Sequence, residues 1–229
     1  KSHNIAGLIV EPTKSALSNP NIDLYMELKA RGIPVLFIHG CYRDLDFPYI
    51  VEDDVRAGYE ATCHLIGLGH RNIAGIFKID DIQGHFRFAG YQKANREEGL
   101  EFSDSRVLWF DTDETDMIFK DGSDKRLIDL IEKCSAIVCY NEQIAVKVFD
   151  AVRQKGLSIP DDISIVSFDD SQLAVASEVK LTTIAHPKEK FCEEAAKLII
   201  SMINKIGNTC SIKMEPKLIV RGSTKQYGR

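Results

Sequence analysis

The 229-residue sequence lacks most of the features that would commit it to catalysis. It has no Gly-x-Ser-x-Gly elbow and no glycine-rich phosphate loop, and "GLGH" (67–70) is missing the third glycine of a dinucleotide fingerprint. No cofactor is therefore expected. No apolar run approaches the length that crosses a bilayer, so no membrane partner is expected either. Net positive charge is also missing. With 29 Lys and Arg against 34 Asp and Glu the balance is −5, which excludes a broad surface for neutralising nucleic-acid phosphates. The basic cluster at 120–126 is interrupted by acids and reads as a solvated helix face. Paired cysteine spacing is absent: Cys41, Cys63, Cys134, Cys139, Cys192 and Cys210 stand apart. Cys63, Cys139 and Cys192 fall in apolar patterns and read as reduced core residues, which points to the cytosol. His39 and Cys41 with Asp44 and Asp46 lack the usual spacing of metal-ligand pairs, and no metal is expected.

What is present is a globular composition, 44% apolar and 28% charged, in a chain long enough for one large α/β domain or two lobes. Apolar runs "IAGLIV" (5–10), "IPVLFIH" (33–39), "NIAGIF" (72–77), "RVLWFD" (106–111), "AIVCY" (136–140) and "ISIVSFD" (163–169) alternate with stretches of helical spacing. That alternation predicts βα units. The runs are continuous rather than alternating apolar and polar, as strands covered on both faces are, so the sheet should be mostly parallel. Helices are expected over 55–69, closed by Gly69 in a left-handed conformation, and over 141–155, opened by Asn141 and stopped before Gly156.

Polar residues gather where these strands end: Glu11, His39, Lys78, Asn141, and Asp169 with Asp170. The carboxyl edge of a parallel α/β sheet is where ligands bind. Any one of these residues has a plain structural explanation, Asn141 as a helix N-cap above all. Together they suggest a cleft of donors and acceptors suited to a small polyhydroxylated ligand. Asp169 and Asp170 could be imagined as a glycosidase acid/base pair, but adjacent residues leaving a strand point apart, and no enzyme is expected.

The stretches "DDVRAGYEATCHLIGLGHRNIAGIF" (53–77), "FRFAGYQKA" (86–94), "SAIVCYNEQIAVKVFDAVRQKGLSIPDDISIVSFDDS" (135–171), "LTTIAHPKEKFCEEAAKLI" (181–199) and "EPKLIVRGST" (215–224) resemble the effector domain of lactose- and galactose-type repressors. Further stretches, "GLIVEPTKSAL" (7–17), "GIFKIDDIQG" (75–84), "SEVKLT" (177–182) and His186-Pro187, are similar to the arabinose-responsive repressors of Bacillus-type bacteria, which join a winged-helix DNA-binding head to this domain. The resemblance implies a two-lobed, periplasmic-binding-protein-like α/β fold with parallel sheets flanked by helices. The N-terminal lobe would comprise 1–52 and 186–214, and the C-terminal lobe 53–185 and 215–229. Residues 1–4 align with the end of the N-terminal lobe's second helix, so about two βα units of that lobe and the DNA-binding head would be missing. Ser167 stands where the family usually has glycine, Glu142 where it has aspartate, and Phe191 where it has a small residue.

The same resemblance implies the ligand residues. Arg87 would reach sugar hydroxyls, Asn141 would pair with one hydroxyl couple, and Asp169 would accept from vicinal hydroxyls while Asp170 turns away to brace the next loop. His186 and His39 occupy ligand positions of the lactose repressor. Glu11 and Lys14 would help choose the pentose, and Phe168 or Trp109 could offer a ring face, although Trp109 reads more readily as core. The implied function is a sugar-sensing domain that binds L-arabinose or a related pentose between two lobes. Closure would then release operator DNA held by the absent head, in a cytoplasmic homodimer. The rivals are an exported sugar-binding protein of a transporter, and a repressor answering to another sugar or a nucleoside.

Overall fold

The computed structural model describes residues 5–207 and 210–228. Residues 1–4, aligned above with a helix end, lie outside the described residues. The structure divides into two compact units, 1–53 with 187–215 and 54–186 with 216–229. The chain begins with β1 (Leu8–Val10), α1 (Ile22–Ala30), β2 (Val35–Ile38) and β3 (Tyr49–Glu52) in the first unit. The second unit then takes α2 (Asp54–Gly67), β4 (Ile73–Lys78), α3 (Ile82–Glu97), β5 (Val107–Phe110), α4 (Thr115–Phe119), α5 (Lys125–Lys133), β6 (Ala136–Cys139), α6 (Glu142–Gln154), β7 (Ser164–Asp169), α7 (Gln172–Ala176) and β8 (Thr182–Ala185). The chain returns to the first unit for α8 (Lys188–Asn204) and β9 (Ile212–Met214), and ends with β10 (Lys217–Ile219) in the second.

Each transition falls one residue later than the resemblance implies, so Asp53 and Glu215 belong to the first unit and His186 to the second. Hydrogen bonding explains two of these shifts. The Asp53 N–H donates to the Met214 carbonyl at 2.8 Å, and the His186 ring bonds to Asp169.

In the first unit the sheet order is β1-β2-β3-β9, every pair parallel. Leu36 and Ile50 pack against Phe191, Ala195 and Leu198 of α8, while Val35 and Phe37 face Leu45, Phe47 and Tyr25 on the opposite side. Phe191 is therefore a core residue, as its place in an apolar helix stripe suggests.

The second unit holds a six-stranded sheet, β10-β8-β7-β6-β4-β5, parallel except where β10 runs against β8. Neighbouring residues of a strand enter opposite cores. Ile73 and Phe77 of β4 pack with α2 and α3, whereas Ala74 and Ile76 pack with α4, α5 and α6. That two-sided burial is why these strands read as unbroken apolar runs. Four short strands escape that reading. β3, β9 and β10 are only three or four residues long and each includes a charged residue, and β8 presents Thr182 and Thr183, which are nonetheless fully buried because their hydroxyls are bonded to Thr224 and Glu142. Cys139 is buried and Cys63 partly so, but Cys192 is exposed on α8, while Cys134, not singled out above, is buried. Of the basic run at 120–126, Lys120 lies between α4 and α5, while Lys125 and Arg126 form the first turn of α5.

Helices α2 and α3 meet backbone to backbone. A Cβ on Gly58 would lie 2.0 Å from the Arg87 carbonyl oxygen, and one on Gly90 2.0 Å from that of Val55. This close crossing seats Arg87 deep in the unit. At the opposite edge of the sheet, the final segment is anchored by two histidines. His64 Nε2 pairs with Thr224 Oγ1 at 3.1 Å, and His70 bridges Ser135 Oγ and the Lys225 carbonyl.

Burial lowers the pKa of both rings from 6.5, His64 also through its neighbour His70, and for His70 against the pull of the Lys225 carbonyl. The folded protein therefore binds fewer protons than the unfolded chain just below pH 6.5, and this part of the stability is lost as pH falls through that window. Urea midpoints should drop between about pH 7 and about pH 5.5, less steeply in a His64→Gln/His70→Gln variant. Equal slopes in the two proteins would refute the assignment.

Candidate functional site

Parallel pairing places the carboxyl ends of β4, β6, β7 and β8 along one edge of the second unit's sheet. The strand-end residues Lys78, Tyr140, Asp169 and His186 therefore share that edge.

Arg87 is the centre of the arrangement. It arrives from α3 and is 1% exposed, with its guanidinium between the rings of Phe168, 4.5 Å away, and Tyr140, 5.1 Å away. Its Nε donates to Asp54 Oδ1 at 2.8 Å and its Nη1 to the Tyr140 carbonyl at 2.6 Å, while Nη2 lies 3.5 Å from Asp169 Oδ1. Burial alone would pull the Arg87 pKa down, but the carboxylates of Asp54 and Asp169 outweigh it and hold the pKa above the usual arginine value. A buried charge persists only with such partners.

The fork is thus directed at protein groups and reaches the edge through Asp169, not as the open hydroxyl donor expected above. Phe168 also needs correction. It is wholly buried beneath Arg87 and supports the guanidinium instead of offering a ring face to ligand. Trp109 packs with Phe77 and Phe88 in an aromatic cluster, the core alternative raised for it.

Asp169 is the most open member, its side chain 36% exposed. Its Oδ1 faces both Arg87 and His186, whose Nε2 is 2.8 Å away. Asp170 turns elsewhere and pairs with Arg221 Nη2 at 2.7 Å. Both aspartates have positive φ, +100° and +45°, conformations that cost non-glycine residues on the order of 1–3 kcal/mol each. The next residue, Ser171, donates its N–H to Glu142 Oε2 at 2.8 Å and its hydroxyl to the same oxygen. Three consecutive residues are therefore held by three different elements.

Asn141 caps α6, its Oδ1 accepting from the Ile144 N–H at 3.0 Å. Tyr140 donates its hydroxyl to Asp81 Oδ2, and burial with that contact pushes its pKa up. The nearby Asp80 is held below the usual carboxylate range, since the Thr112 hydrogen bonds and Lys78 outweigh its burial. Asp54, Tyr140 and Glu142 were not singled out as site residues; their polarity had a signal, but their partners lie 33, 53 and 41 residues away.

In the first unit, His39 sits at the end of β2 with φ +60°, its ring stacked on Phe191 at 4.3 Å and its Nδ1 3.4 Å from the buried Glu52 carboxylate. Glu11 and Lys14 are exposed in the loop after β1, Lys14 at φ +48°. Among the described residues no cluster of three His, Cys, Asp or Glu side chains is arranged to hold a metal ion, and no helix is long and apolar enough to cross a membrane.

Residues 62–224 match the model of the periplasmic binding protein-like domain. The chain is 43% identical to an arabinose metabolism transcriptional repressor of Halalkalibacterium halodurans, over 97% of this chain and 61% of that protein. It is 42% identical to the repressor of the same description from Geobacillus stearothermophilus, over 97% of this chain and 62% of that protein. It thus spans about three fifths of either relative. Among solved structures it is similar to a periplasmic binding protein/LacI transcriptional regulator of Alkaliphilus metalliredigens complexed with D-xylulofuranose. There the identity is 26% and the TM-score 0.76, over 96% of this chain and 77% of that one.

Proposed function

The chain belongs to the periplasmic binding protein-like domain family, and from that premise we propose that it is the sugar-sensing part of a transcriptional repressor, with L-arabinose or a related pentose as its ligand. The observation that carries the reading is Asp169: a partly exposed carboxylate at the sheet edge, oriented by a buried arginine and by His186. Vicinal hydroxyls need a charged acceptor of fixed direction, and a carboxylate so oriented accepts from two of them with charge-assisted bonds. Asn141, whose oxygen is committed to its helix, contributes its amide N–H groups, and His186 orients Asp169 while meeting the sugar. In the first unit, His39, Glu11 and Lys14 supply the contacts that choose among pentoses.

Catalysis is disfavoured by the same geometry. Glycoside hydrolysis needs two carboxyl groups facing one bond, and Asp170 is turned to Arg221. A repressor is favoured over a transporter component by the two arabinose repressors at 43% and 42% identity. In the cell we place the protein in the cytoplasm as a homodimer, with operator DNA bound by a separate N-terminal domain. Sugar and operator then oppose each other through one reciprocal coupling free energy.

Calorimetric titration of the full-length protein with L-arabinose, D-ribose, D-xylose and D-galactose tests the reading. Selective L-arabinose binding is expected, weakened about 100-fold or more in Asp169→Ala. Silence across the panel would overturn the pentose assignment. Operator affinity that is the same with and without saturating sugar would overturn the repressor coupling.

A further inference from the structure

The strand end that carries Asp169 also raises the question of what holds two successive aspartates in left-handed backbone conformations. Strain of this kind persists only where surrounding groups over-determine it. On the following residue the constraint is Glu142, 1% exposed, whose Oε2 accepts from Ser171 and whose Oε1 accepts from the Thr183 hydroxyl at 2.9 Å. On Asp170 it is Arg221, just beyond β10. Arg221 is itself fixed at three points: Nη1 donates to the Leu181 carbonyl at 3.0 Å, Nη2 meets Asp170 at 2.7 Å, and its backbone N–H donates to Thr182 Oγ1 at 2.9 Å. The planar guanidinium thereby ties the end of β7 to the start of β8 in a fixed geometry that a lysine cannot reproduce.

We propose that Arg221 is a positioning residue for the ligand site: by holding the Asp170 carboxylate it fixes the turn through which Asp169 presents its own carboxylate towards Arg87, His186 and the sugar. The assignment rests on the sugar-binding reading for its consequence, but its geometric part stands in the ligand-free protein. A rotation at Asp170 is transmitted directly to Asp169, because the two residues share a peptide plane. Asp169 Oδ1 is within 2.8 Å of His186 Nε2, so any rotation changes that hydrogen bond first.

Arg221 also belongs to a segment that other groups secure. Ser223 Oγ accepts from the Thr182 N–H at 2.8 Å and donates to the Ile165 carbonyl at 2.6 Å, β10 pairs with β8 from Lys217 to Ile219, and the Tyr227 N–H reaches the Leu68 carbonyl. Loss of the Arg221 side chain should therefore leave the fold intact. Ser223→Ala, which loosens the same segment without touching Asp170, is the matching control.

The test compares Arg221→Ala, Arg221→Lys, Ser223→Ala and Asp169→Asn in the full-length protein, by L-arabinose titration and by the ¹⁵N resonance of the His186 ring without ligand, identified with His186→Gln. Arg221→Ala is expected to shift the His186 signal in the direction of Asp169→Asn and to weaken L-arabinose about ten-fold, with Arg221→Lys in between and Ser223→Ala little changed in both. A His186 signal unmoved in Arg221→Ala would overturn the proposal, as would equal losses of affinity in Arg221→Ala and Ser223→Ala. Should the wild-type protein bind no sugar while the His186 signal still follows Arg221, the sugar reading fails and the positioning role stands.

Discussion

Replacing Arg87 by methionine is expected to destabilise the second unit by about 3–5 kcal/mol, the range for removing one partner of a buried ion pair. The cause is what remains: Asp54, itself buried at the first turn of α2, would keep a carboxylate whose closest cation has gone, and the Tyr140 carbonyl would lose its donor. The α2 N-terminus and the Gln83 amide offset only part of that loss. Denaturant unfolding of Arg87→Met beside Asp54→Leu/Arg87→Met separates the charge from the packing. The double variant should recover most of the loss, since apolar replacement of a whole buried pair is commonly neutral. A single variant within about 1 kcal/mol of the wild type would show that water solvates Asp54 in its place.

Gly58→Ala should be damaging for a reason unrelated to charge. Its new methyl would sit 2.0 Å from the Arg87 carbonyl oxygen, which is backbone and cannot swing aside. Helices α2 and α3 would have to separate or slide, at a cost on the order of 3 kcal/mol. Because the obstructed atom belongs to Arg87 itself, sugar affinity should fall together with thermal stability. Gly67→Ala, at a position where an added methyl meets open space, is the control expected to change neither. A Gly58→Ala protein as stable as the wild type would mean that the crossing has slack.

Much of the second unit was legible in the sequence because its strands are buried on both faces. β4, β6 and β7 appear as mainly apolar runs, and the polar residue at or just beyond the end of each marks the proposed binding edge without any knowledge of the partner. Asn141 was legible for a local reason, since capping involves only its own helix. What was not legible depends on distant pairing. Asp54 resembles any acidic helix start until α3 brings Arg87 beside it, and Phe168 looks like an available ring until the same guanidinium covers it. The threonines of β8 hide a buried strand because their satisfaction comes from Glu142, Ser223 and Thr224. In the first unit, the character of His39 depends on Phe191 and Glu52, which meet it only in three dimensions.

The antiparallel strand β10 has a consequence for the order in which this protein is made. The second unit needs residues 216–228 to cover β8, to supply Arg221 and to place Ser223. On the ribosome those residues follow the whole 187–215 stretch of the first unit. At 5–20 residues per second, β8 therefore waits roughly 2–6 s with an unpaired edge after its own synthesis. An open strand edge is a template for pairing with another chain. The nascent protein should be most vulnerable to aggregation, and most in need of a chaperone, in that interval. A chain released before residue 216 would carry the exposed edge for its lifetime.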